Sequence, residues 1–184
     1  MAETPSNMLP LGTKAPNFIL PDTVSGNTLS LDELRAKAGL VVMFICNHCP
    51  YVIHVQEEMV KIASEYQSKG FSFVAISSND VNGYPQDGPE KMKEHAIKNE
   101  FTFPYLYDET QNVAKAYDAA CTPDFYVFTA DLSLYYRGRI DGSRPNNEQP
   151  VTGEDLRGAL NSLLDGQPSP SQQWPSMGCN IKWK

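Results

Sequence analysis

The 184-residue sequence predicts one α/β domain organised around a mostly parallel sheet. Apolar segments of strand length alternate along the chain with segments of helical periodicity. One of these segments, residues 40–45, is apolar at every position, which is typical of a strand covered on both faces. The hydrophobic fraction of 41% and the charged fraction of 20% fit a globular chain and exclude wholesale disorder or a coiled coil.

Six strands and five helices are predicted from these patterns. The strands are expected at residues 17–20, 40–45, 71–77, 103–107, 124–129 and 134–140. The helices are expected at residues 30–39, 52–70, 90–99, 108–117 and 152–164. The last two strands are close enough in sequence to form an antiparallel hairpin, whereas helices separate the others. Strands joined through helices pair in parallel, and ligands are expected at their carboxyl ends.

Capping side chains mark three of the predicted helix starts. Ser30 and Glu33 have the spacing of a capping box, in which each side chain bonds the backbone N–H of the other residue. Asp108 and Gln111 have the same spacing, and Thr152 precedes the last helix. These residues predict where the three helices begin.

The chain is predicted to divide into a domain at residues 9–165 and a C-terminal tail at residues 166–184. The first part of the tail is rich in Pro, Ser and Gln and is expected to be irregular. Near its end, Ile181 and Trp183 alternate with polar residues, which is the period of a strand. We therefore expect Ile181 and Trp183 to dock on the domain, as an edge strand.

The charge balance excludes several classes of partner. The sequence has 15 Lys and Arg against 22 Asp and Glu, a net charge of −7, without a basic cluster, so a nucleic-acid partner is not expected. Its longest apolar run is far shorter than a membrane span. Residues 1–11 lack the basic and apolar regions of a signal peptide, which favours a cytoplasmic protein without a membrane partner. The sequence indicates no cofactor and leaves the oligomeric state open.

Four cysteines are the main chemical signal, and two of them form a Cys46-x-x-Cys49 motif. The motif lies between a buried strand and the start of a helix, where the helix N-terminus stabilises negative charge. Cys46 is therefore predicted to be a nucleophilic thiolate with a lowered pKa, and Cys49 the thiol that resolves a mixed disulfide. Asn47 and His48, between the two cysteines, are the candidates for tuning this couple.

Two alternatives for the motif remain open from the residues alone. The cysteines can be an unreactive buried pair, or they can bind a metal. Structural zinc normally needs a second Cys-x-x-Cys or a pair of histidines, and the rest of the sequence offers cysteines and histidines only singly. We predict a dithiol/disulfide couple and no metal.

The other two cysteines are possible third thiols. Cys121 lies two residues before Pro123 and is expected to have a structural role, with a redox role as the alternative. Cys179 lies in the predicted tail and is expected to be buried there. Contact of its thiol with Cys46 is the alternative.

The motif and three further segments resemble a known family. Residues 44–52 read Phe-Ile-Cys-Asn-His-Cys-Pro-Tyr-Val, residues 12–18 contain Gly-x-x-Ala-Pro-x-Phe, residues 121–124 read Cys-Thr-Pro-Asp, and residues 178–184 read Gly-Cys-Asn-Ile-Lys-Trp-Lys. Together they resemble the thioredoxin superfamily. Within it they resemble the redoxin group, which contains AhpC/TSA-like, peroxiredoxin-like and thiol–disulfide isomerase-like proteins. The resemblance covers nearly the whole chain.

The resemblance implies a thioredoxin-like fold, with a mixed central sheet flanked by helices, an N-terminal redoxin extension and a C-terminal tail. It implies a thiol–disulfide oxidoreductase whose partners are protein or small-molecule thiols and disulfides. It also implies that the Thr122–Pro123 peptide bond is cis and faces the cysteines. We expect the backbone N–H and C=O of Thr122 to pair there with an extended substrate.

Two departures from typical thioredoxins affect the expected chemistry. Asn47 and His48 replace the usual Gly-Pro pair, and a histidine at this place resembles the more oxidising members of the superfamily. The strand before Cys46 has no match for the buried aspartate that assists proton transfer in typical thioredoxins. This role is therefore expected to fall to His48, water or the substrate.

A peroxidase is the alternative activity within the same fold. Peroxiredoxins carry a proline and a threonine before the reactive cysteine, and here these positions are Gly39 and Met43. Arg137 or Arg139 could supply the arginine that orients a peroxide. A metal chaperone of thioredoxin fold is a weaker alternative.

Overall fold

The structure is a computed structural model in which residues 3–184 are described. Within these residues the strands are β1 Glu3–Pro5, β2 Ile19–Pro21, β3 Thr28–Ser30, β4 Gly39–Phe44, β5 Phe71–Ser77, β6 Tyr105–Tyr107, β7 Cys121–Thr122, β8 Asp124–Phe128, β9 Leu134–Gly138 and β10 Met177–Asn180. The α-helices are α1 Pro50–Gln67, α2 Pro89–Lys98, α3 Asn112–Ala116 and α4 Glu154–Leu164. Two single 3₁₀ turns lie at Asp32–Leu34 and Pro85–Asp87. None of the described helices is long and apolar enough to cross a membrane.

The central sheet has five strands in the order β6-β5-β4-β8-β9. β4, β5 and β6 pair in parallel, and β8 pairs antiparallel with both β4 and β9. At the carboxyl end of β4, Phe44 lies opposite Ile76 on one side and Asp124 on the other. The predicted mixed α/β sheet with a terminal hairpin is therefore confirmed.

β4 is apolar at every position because both of its faces are covered. Val41 and Met43 belong to the hydrophobic cluster that contains α1, α2 and α4. Leu40, Val42 and Phe44 belong to the cluster on the opposite face, which contains α3. All six residues of the strand are buried, so β4 is a rigid support for the residues that follow it.

The predicted Ser30–Glu33 box forms and the predicted Asp108–Gln111 box does not, and neither pair begins a helix of the expected length. The Ser30 N–H donates to Glu33 Oε2 at 2.8 Å, and the box closes a single 3₁₀ turn rather than a helix to residue 39. The Asp108 carboxylate accepts a bond from the Ala114 N–H at 3.0 Å. Gln111 has a left-handed backbone, with φ of 64°, and therefore lies before α3 rather than within it.

The turn before the last helix is held by Thr152 and by Asp141. The Thr152 hydroxyl accepts a bond from the N–H of Glu154, the first residue of α4, at 3.4 Å. The Asp141 carboxylate accepts bonds from the N–H groups of Thr152 at 2.7 Å and of Gly153 at 2.6 Å. Gly153 has φ of 66°, and a Cβ at this position would collide with the side chain of Ile62. Asp141 thus holds this turn from outside the helix, and the turn requires glycine at residue 153.

A second sheet has three strands in the order β1-β10-β7, and the tail contributes β10 to it. β10 lies in its centre, antiparallel to both neighbours, whereas the sequence predicts an edge strand. Ile181 is 1% exposed, and its N–H donates to the Ala120 carbonyl at 3.0 Å. Trp183 is 43% exposed. The side chain of Ile181 therefore docks in the hydrophobic core, as predicted, whereas that of Trp183 stays partly exposed at the edge of the core.

We predict that Ile181→Ala lowers the free energy of unfolding by about 2–5 kcal/mol, because it leaves a cavity in a packed cluster. Trp183→Ala is the matched control in the same tail. Since Trp183 is half exposed, its loss should cost about 1 kcal/mol or less. Urea denaturation of both variants measures the difference. Equal effects would contradict the docking of the tail through Ile181.

Candidate active site

The Cys-x-x-Cys motif occupies the junction between the central strand β4 and helix α1. β4 ends at Phe44, and α1 begins at Pro50, directly after Cys49. Proline suits the first helical turn because its missing N–H would have no partner there. Cys46 is 1% exposed and Cys49 is fully buried, and both are free thiols. The motif thus lies at the carboxyl end of a sheet strand, where the fold is expected to place its chemistry.

Thr122 contacts both thiols of the motif. Its hydroxyl lies 3.6 Å from Cys46 Sγ, and its backbone carbonyl accepts a bond from Cys49 Sγ at 3.2 Å. The peptide bond from Thr122 to Pro123 is cis. The pair of residues named from the family resemblance therefore faces the cysteines.

The two thiols of the motif are hydrogen bonded to each other and share their charge unequally. This bond lowers the pKa of Cys49 to about 5, and smaller contributions come from Cys179 and Thr122. The same bond raises the pKa of Cys46 well above its ordinary value, and burial and the charge of Asp87 raise it further. The pair therefore titrates as a unit that holds one proton over a wide pH range.

The charge of the pair lies on Cys49 in this arrangement, whereas the sequence predicts it on Cys46. Because one hydrogen bond joins the thiols, transfer of the shared proton from Cys46 to Cys49 moves the charge to Cys46. The arrangement can therefore present a thiolate at either sulfur.

A buried carboxylate, Asp87, lies beside the motif. His48 Nδ1 is 2.7 Å from Asp87 Oδ2 and 4.0 Å from Cys46 Sγ. The side chain of Asp87 has no exposed surface, and it accepts bonds from the Asn47 N–H at 2.9 Å and from Asn79 Nδ2 at 2.8 Å. These donors offset the cost of burying the charge.

Asp87 is the site residue that the sequence analysis does not identify. Residues 79–88 are recognisable only as a polar loop between β5 and α2. The loop closes with a 3₁₀ turn at Pro85–Asp87, which directs the carboxylate towards the motif. The site therefore contains a buried aspartate, although the strand before Cys46 lacks one. This aspartate, Asp87, comes from a loop about forty residues later in the chain.

Asn47 and His48 are held by the same loop. Asn47 Nδ2 donates to the Gln86 carbonyl at 2.8 Å, and Asn47 Oδ1 accepts a bond from the Tyr105 hydroxyl at 3.0 Å. The His48 ring stacks on Tyr84, with ring centroids 5.4 Å apart. The residues between the cysteines are therefore fixed, and His48 is kept between Asp87 and Cys46.

Three side chains of the site have the right chemistry for a metal. Ligand atoms of Cys46, His48 and Asp87 lie within 4.8 Å of one another. In the structure His48 Nδ1 lies 2.7 Å from Asp87 Oδ2, so these two side chains contact each other directly. The observed geometry is a hydrogen-bonded chain rather than a set of open ligands.

The two remaining cysteines have different surroundings. Cys121 Sγ faces the Pro123 carbonyl at 3.9 Å, and burial raises the pKa of this thiol. Cys179 lies opposite Thr122 in the β10–β7 pair and is hydrogen bonded to Cys49. The structure thus brings Cys179 to Cys49, whereas the alternative considered from the sequence is contact with Cys46.

The mixed sheet, with a Cys-x-x-Cys motif where a central strand meets a helix, defines a redoxin of thioredoxin fold. The thioredoxin domain of a thiol–disulfide oxidoreductase from Bacteroides vulgatus has the same fold, with a TM-score of 0.66 and 17% identity over 85% of this chain and 99% of that one. The sequence model of the AhpC/TSA family matches residues 11–137. The chain therefore belongs to the AhpC/TSA family.

Two other proteins are similar to this chain in sequence. A Mycobacterium tuberculosis protein, named as a peroxiredoxin, is 30% identical over 116 residues, which cover 63% of this chain and 68% of the relative. An uncharacterized conserved protein of Geobacillus kaustophilus is 58% identical, with a TM-score of 0.99 over all of this chain and 97% of the other. The second likeness includes the tail.

We predict that the fully reduced protein carries one thiolate between about pH 6 and 8, because the pKa of Cys49 is about 5. In this window the folded protein binds fewer protons than the unfolded chain, so the thiolate stabilises the fold as the pH rises from 5 towards 9. The stability is lost as the pH falls through 5. Thiolate absorbance in the ultraviolet measures the titration.

Two variants check this assignment. Cys46→Ala removes the hydrogen bond to Cys49, so the thiolate should appear only at higher pH. Cys121→Ala removes a buried thiol whose pKa is raised and should leave the titration unchanged. A thiolate midpoint that is the same in Cys46→Ala as in the unchanged protein would contradict the coupling.

Proposed function

We propose that this protein is a thiol–disulfide oxidoreductase that uses Cys46 and Cys49 as a dithiol/disulfide couple. The observation that carries the proposal is the placement of two buried free thiols around Thr122, with Cys46 Sγ 3.6 Å from its hydroxyl and Cys49 Sγ 3.2 Å from its carbonyl. The two thiols are coupled, and this coupling lowers the pKa of Cys49 to about 5. Such a pair contains a nucleophile and its resolving thiol within one motif. Membership of a redoxin family is consistent with this chemistry.

The reaction consists of two exchanges. The Cys46 thiolate attacks one sulfur of a substrate disulfide, which forms a mixed disulfide and releases the first substrate thiolate. Cys49 then attacks Cys46 Sγ, which forms the Cys46–Cys49 disulfide and releases the second thiolate. The substrate gains two electrons and the couple loses them. An external thiol must then reduce the couple, as in a reducing compartment such as the cytoplasm.

His48 and Asp87 are the proposed proton carriers. His48 Nδ1 lies 4.0 Å from Cys46 Sγ, which is the sulfur that exchanges with the substrate. Asp87, 2.7 Å from the same nitrogen, orients the imidazole. His48 can thus deliver a proton to a departing thiolate and stabilise negative charge on Cys46.

The Thr122 backbone, which the sequence predicts to pair with substrate, is not free in this structure. β10 pairs with β7, and Cys179 lies opposite Thr122. An extended substrate can take this position only after β10 has left it. The proposed partners remain protein or small-molecule thiols and disulfides.

Peroxide reduction is the second candidate, favoured by the peroxiredoxin name of the M. tuberculosis relative. Gly39 and Met43 are buried within β4 and offer no hydroxyl to a peroxide. Arg139 is paired with Asp155 at 2.6 Å, and Arg137 Nη1 donates to the Gln173 side chain at 2.8 Å. The site therefore favours disulfide exchange over the peroxidase chemistry.

We predict that Cys46→Ser abolishes reduction of oxidised glutathione and of insulin disulfides with dithiothreitol as electron donor. Cys49→Ser should instead accumulate a mixed disulfide at Cys46, because the resolving thiol is absent. Mass spectrometry measures the adduct, and Cys121→Ser is the matched control that should retain turnover. Turnover by Cys46→Ser would refute the proposal, and peroxide consumption faster than disulfide reduction would establish the second candidate.

We predict that His48→Asn lowers turnover by about a hundredfold, which is typical of the loss of a general acid or base. The matched control is His54→Asn on α1, because His54 bonds Ser143 at 2.7 Å and serves no proposed role. Turnover as a function of pH separates a proton carrier from a structural residue. A parallel fall at every pH would contradict the proposed proton transfer.

A further inference from the structure

The tail places a third thiol against the active-site couple. β10 pairs antiparallel with β7, so that Cys179 lies opposite Thr122 and Asn180 opposite Cys121. Cys179 is 3% exposed and belongs to the same hydrophobic cluster as Cys46 and Cys49. Cys49 Sγ donates to the Thr122 carbonyl at 3.2 Å, and Cys46 Sγ lies 3.6 Å from the Thr122 hydroxyl. Cys46, Cys49 and Cys179 therefore gather around Thr122, and the pKa of Cys179 responds to its neighbour Cys49.

The strand that carries Cys179 occupies the position expected for a substrate. It is extended, it is antiparallel to the backbone of Thr122, and it presents a cysteine beside the couple. Gly178 permits this close approach, because a Cβ at this position would collide with the Thr122 carbonyl. β10 thus has the geometry of a bound peptide with a reactive cysteine.

We propose that Cys179 is a third redox-active thiol, which exchanges with the Cys46–Cys49 disulfide to form a Cys49–Cys179 disulfide. This inference rests on the proposed function of the couple. In the exchange, the Cys179 sulfur attacks Cys49 Sγ, the Cys46–Cys49 bond breaks, and the electron pair leaves on Cys46. The proton lost by Cys179 balances the negative charge gained by Cys46, and the oxidation state of the protein does not change.

Oxidation of the couple itself makes Cys179 more reactive. In the reduced protein, burial and the neighbouring Cys49 thiolate raise the pKa of Cys179 to about 12, which keeps it protonated. Formation of the Cys46–Cys49 disulfide removes the charge and the hydrogen bond of Cys49. The nearby Lys182 lowers the pKa of Cys179 and continues to act. Burial, the largest cause, remains, but the loss of the Cys49 contributions shifts the pKa of Cys179 downwards when the couple is oxidised.

The exchange would have two effects on the active site. It returns Cys46 to the thiolate form next to His48, while the disulfide passes to the tail. It also fixes β10 covalently over Thr122, the edge that an extended substrate needs. The tail thus acts both as an acceptor of the disulfide and as a cover for the site.

Peptide mapping tests the exchange, because trypsin places the Cys46–Cys49 couple and Cys179 in different peptides. Cys46 and Cys49 lie in one tryptic peptide, residues 38–61, and Cys179 lies in another, residues 158–182. The reduced protein is treated with one equivalent of diamide, which takes up the two electrons and two protons of one dithiol. The thiols are then alkylated in acid at successive times, and the protein is digested without reductant.

We expect a bridge within peptide 38–61 first, followed by a bridge between peptides 38–61 and 158–182 at constant total disulfide. The Cys46→Ser variant should form the bridge between peptides 38–61 and 158–182 without passing through the bridge within peptide 38–61. The double variant Cys46→Ser with Cys121→Ser should do the same. Cys46→Ser with Cys179→Ser should form neither. Gly178→Ala keeps all four thiols but displaces β10, so it should form the first bridge normally and lose most of the second.

The outcomes separate this inference from the proposed function. If the unchanged protein forms the bridge within peptide 38–61 but the Cys46→Ser protein never links the two peptides, the third thiol is excluded and the couple stands. If the unchanged protein forms no bridge within peptide 38–61, the couple fails as well. A bridge that includes Cys121, or an undiminished second bridge in folded Gly178→Ala, would also overturn the inference.

Discussion

The architecture of the site depends on the burial of one carboxylate, that of Asp87. An ionised carboxylate without exposed surface is tolerated only when several donors surround it. Here the donors are the Asn47 N–H, the Asn79 side chain and His48, which come from the β4–α1 junction and from the loop after β5. Asn79 in turn accepts a bond from the Lys182 N–H at 2.9 Å, so the tail also contributes to this network. Loss of any of these segments would leave the charge without its partners.

The charge of Asp87 also helps the couple to retain one proton. The interaction with Cys49 is the main cause that raises the pKa of Cys46, and burial and the charge of Asp87 raise it further, whereas the same interaction lowers the pKa of Cys49. The first proton therefore leaves easily and the second is retained. A couple that holds one negative charge has a nucleophile without the repulsion of two neighbouring thiolates. His48, between Asp87 and Cys46, is placed where proton transfer between these states would occur.

Features with a local cause could be predicted from the sequence, and features with a distant cause could not. The bounds of β5 coincide with the predicted strand at residues 71–77, because its apolar pattern is intrinsic to the segment. Gln111 has the spacing of a cap, but its side chain donates instead to the carbonyls of Ser78 and Lys182. Asp87 acquires its role only when a turn carries it across to Asn47. Periodicity and capping rules contain no information on such contacts.

The three-stranded sheet joins residues 3–5, 121–122 and 177–180, which are among the most widely separated segments of the chain. Pairing of this kind carries a large loop-closure entropy, so it forms late in folding. Short strands with few hydrogen bonds are also the first to open by local unfolding in the native state. We therefore expect access of oxidants to the buried thiols to follow the opening of this small sheet rather than global unfolding of the domain. Hydrogen exchange in β10 would be the direct measure of that access.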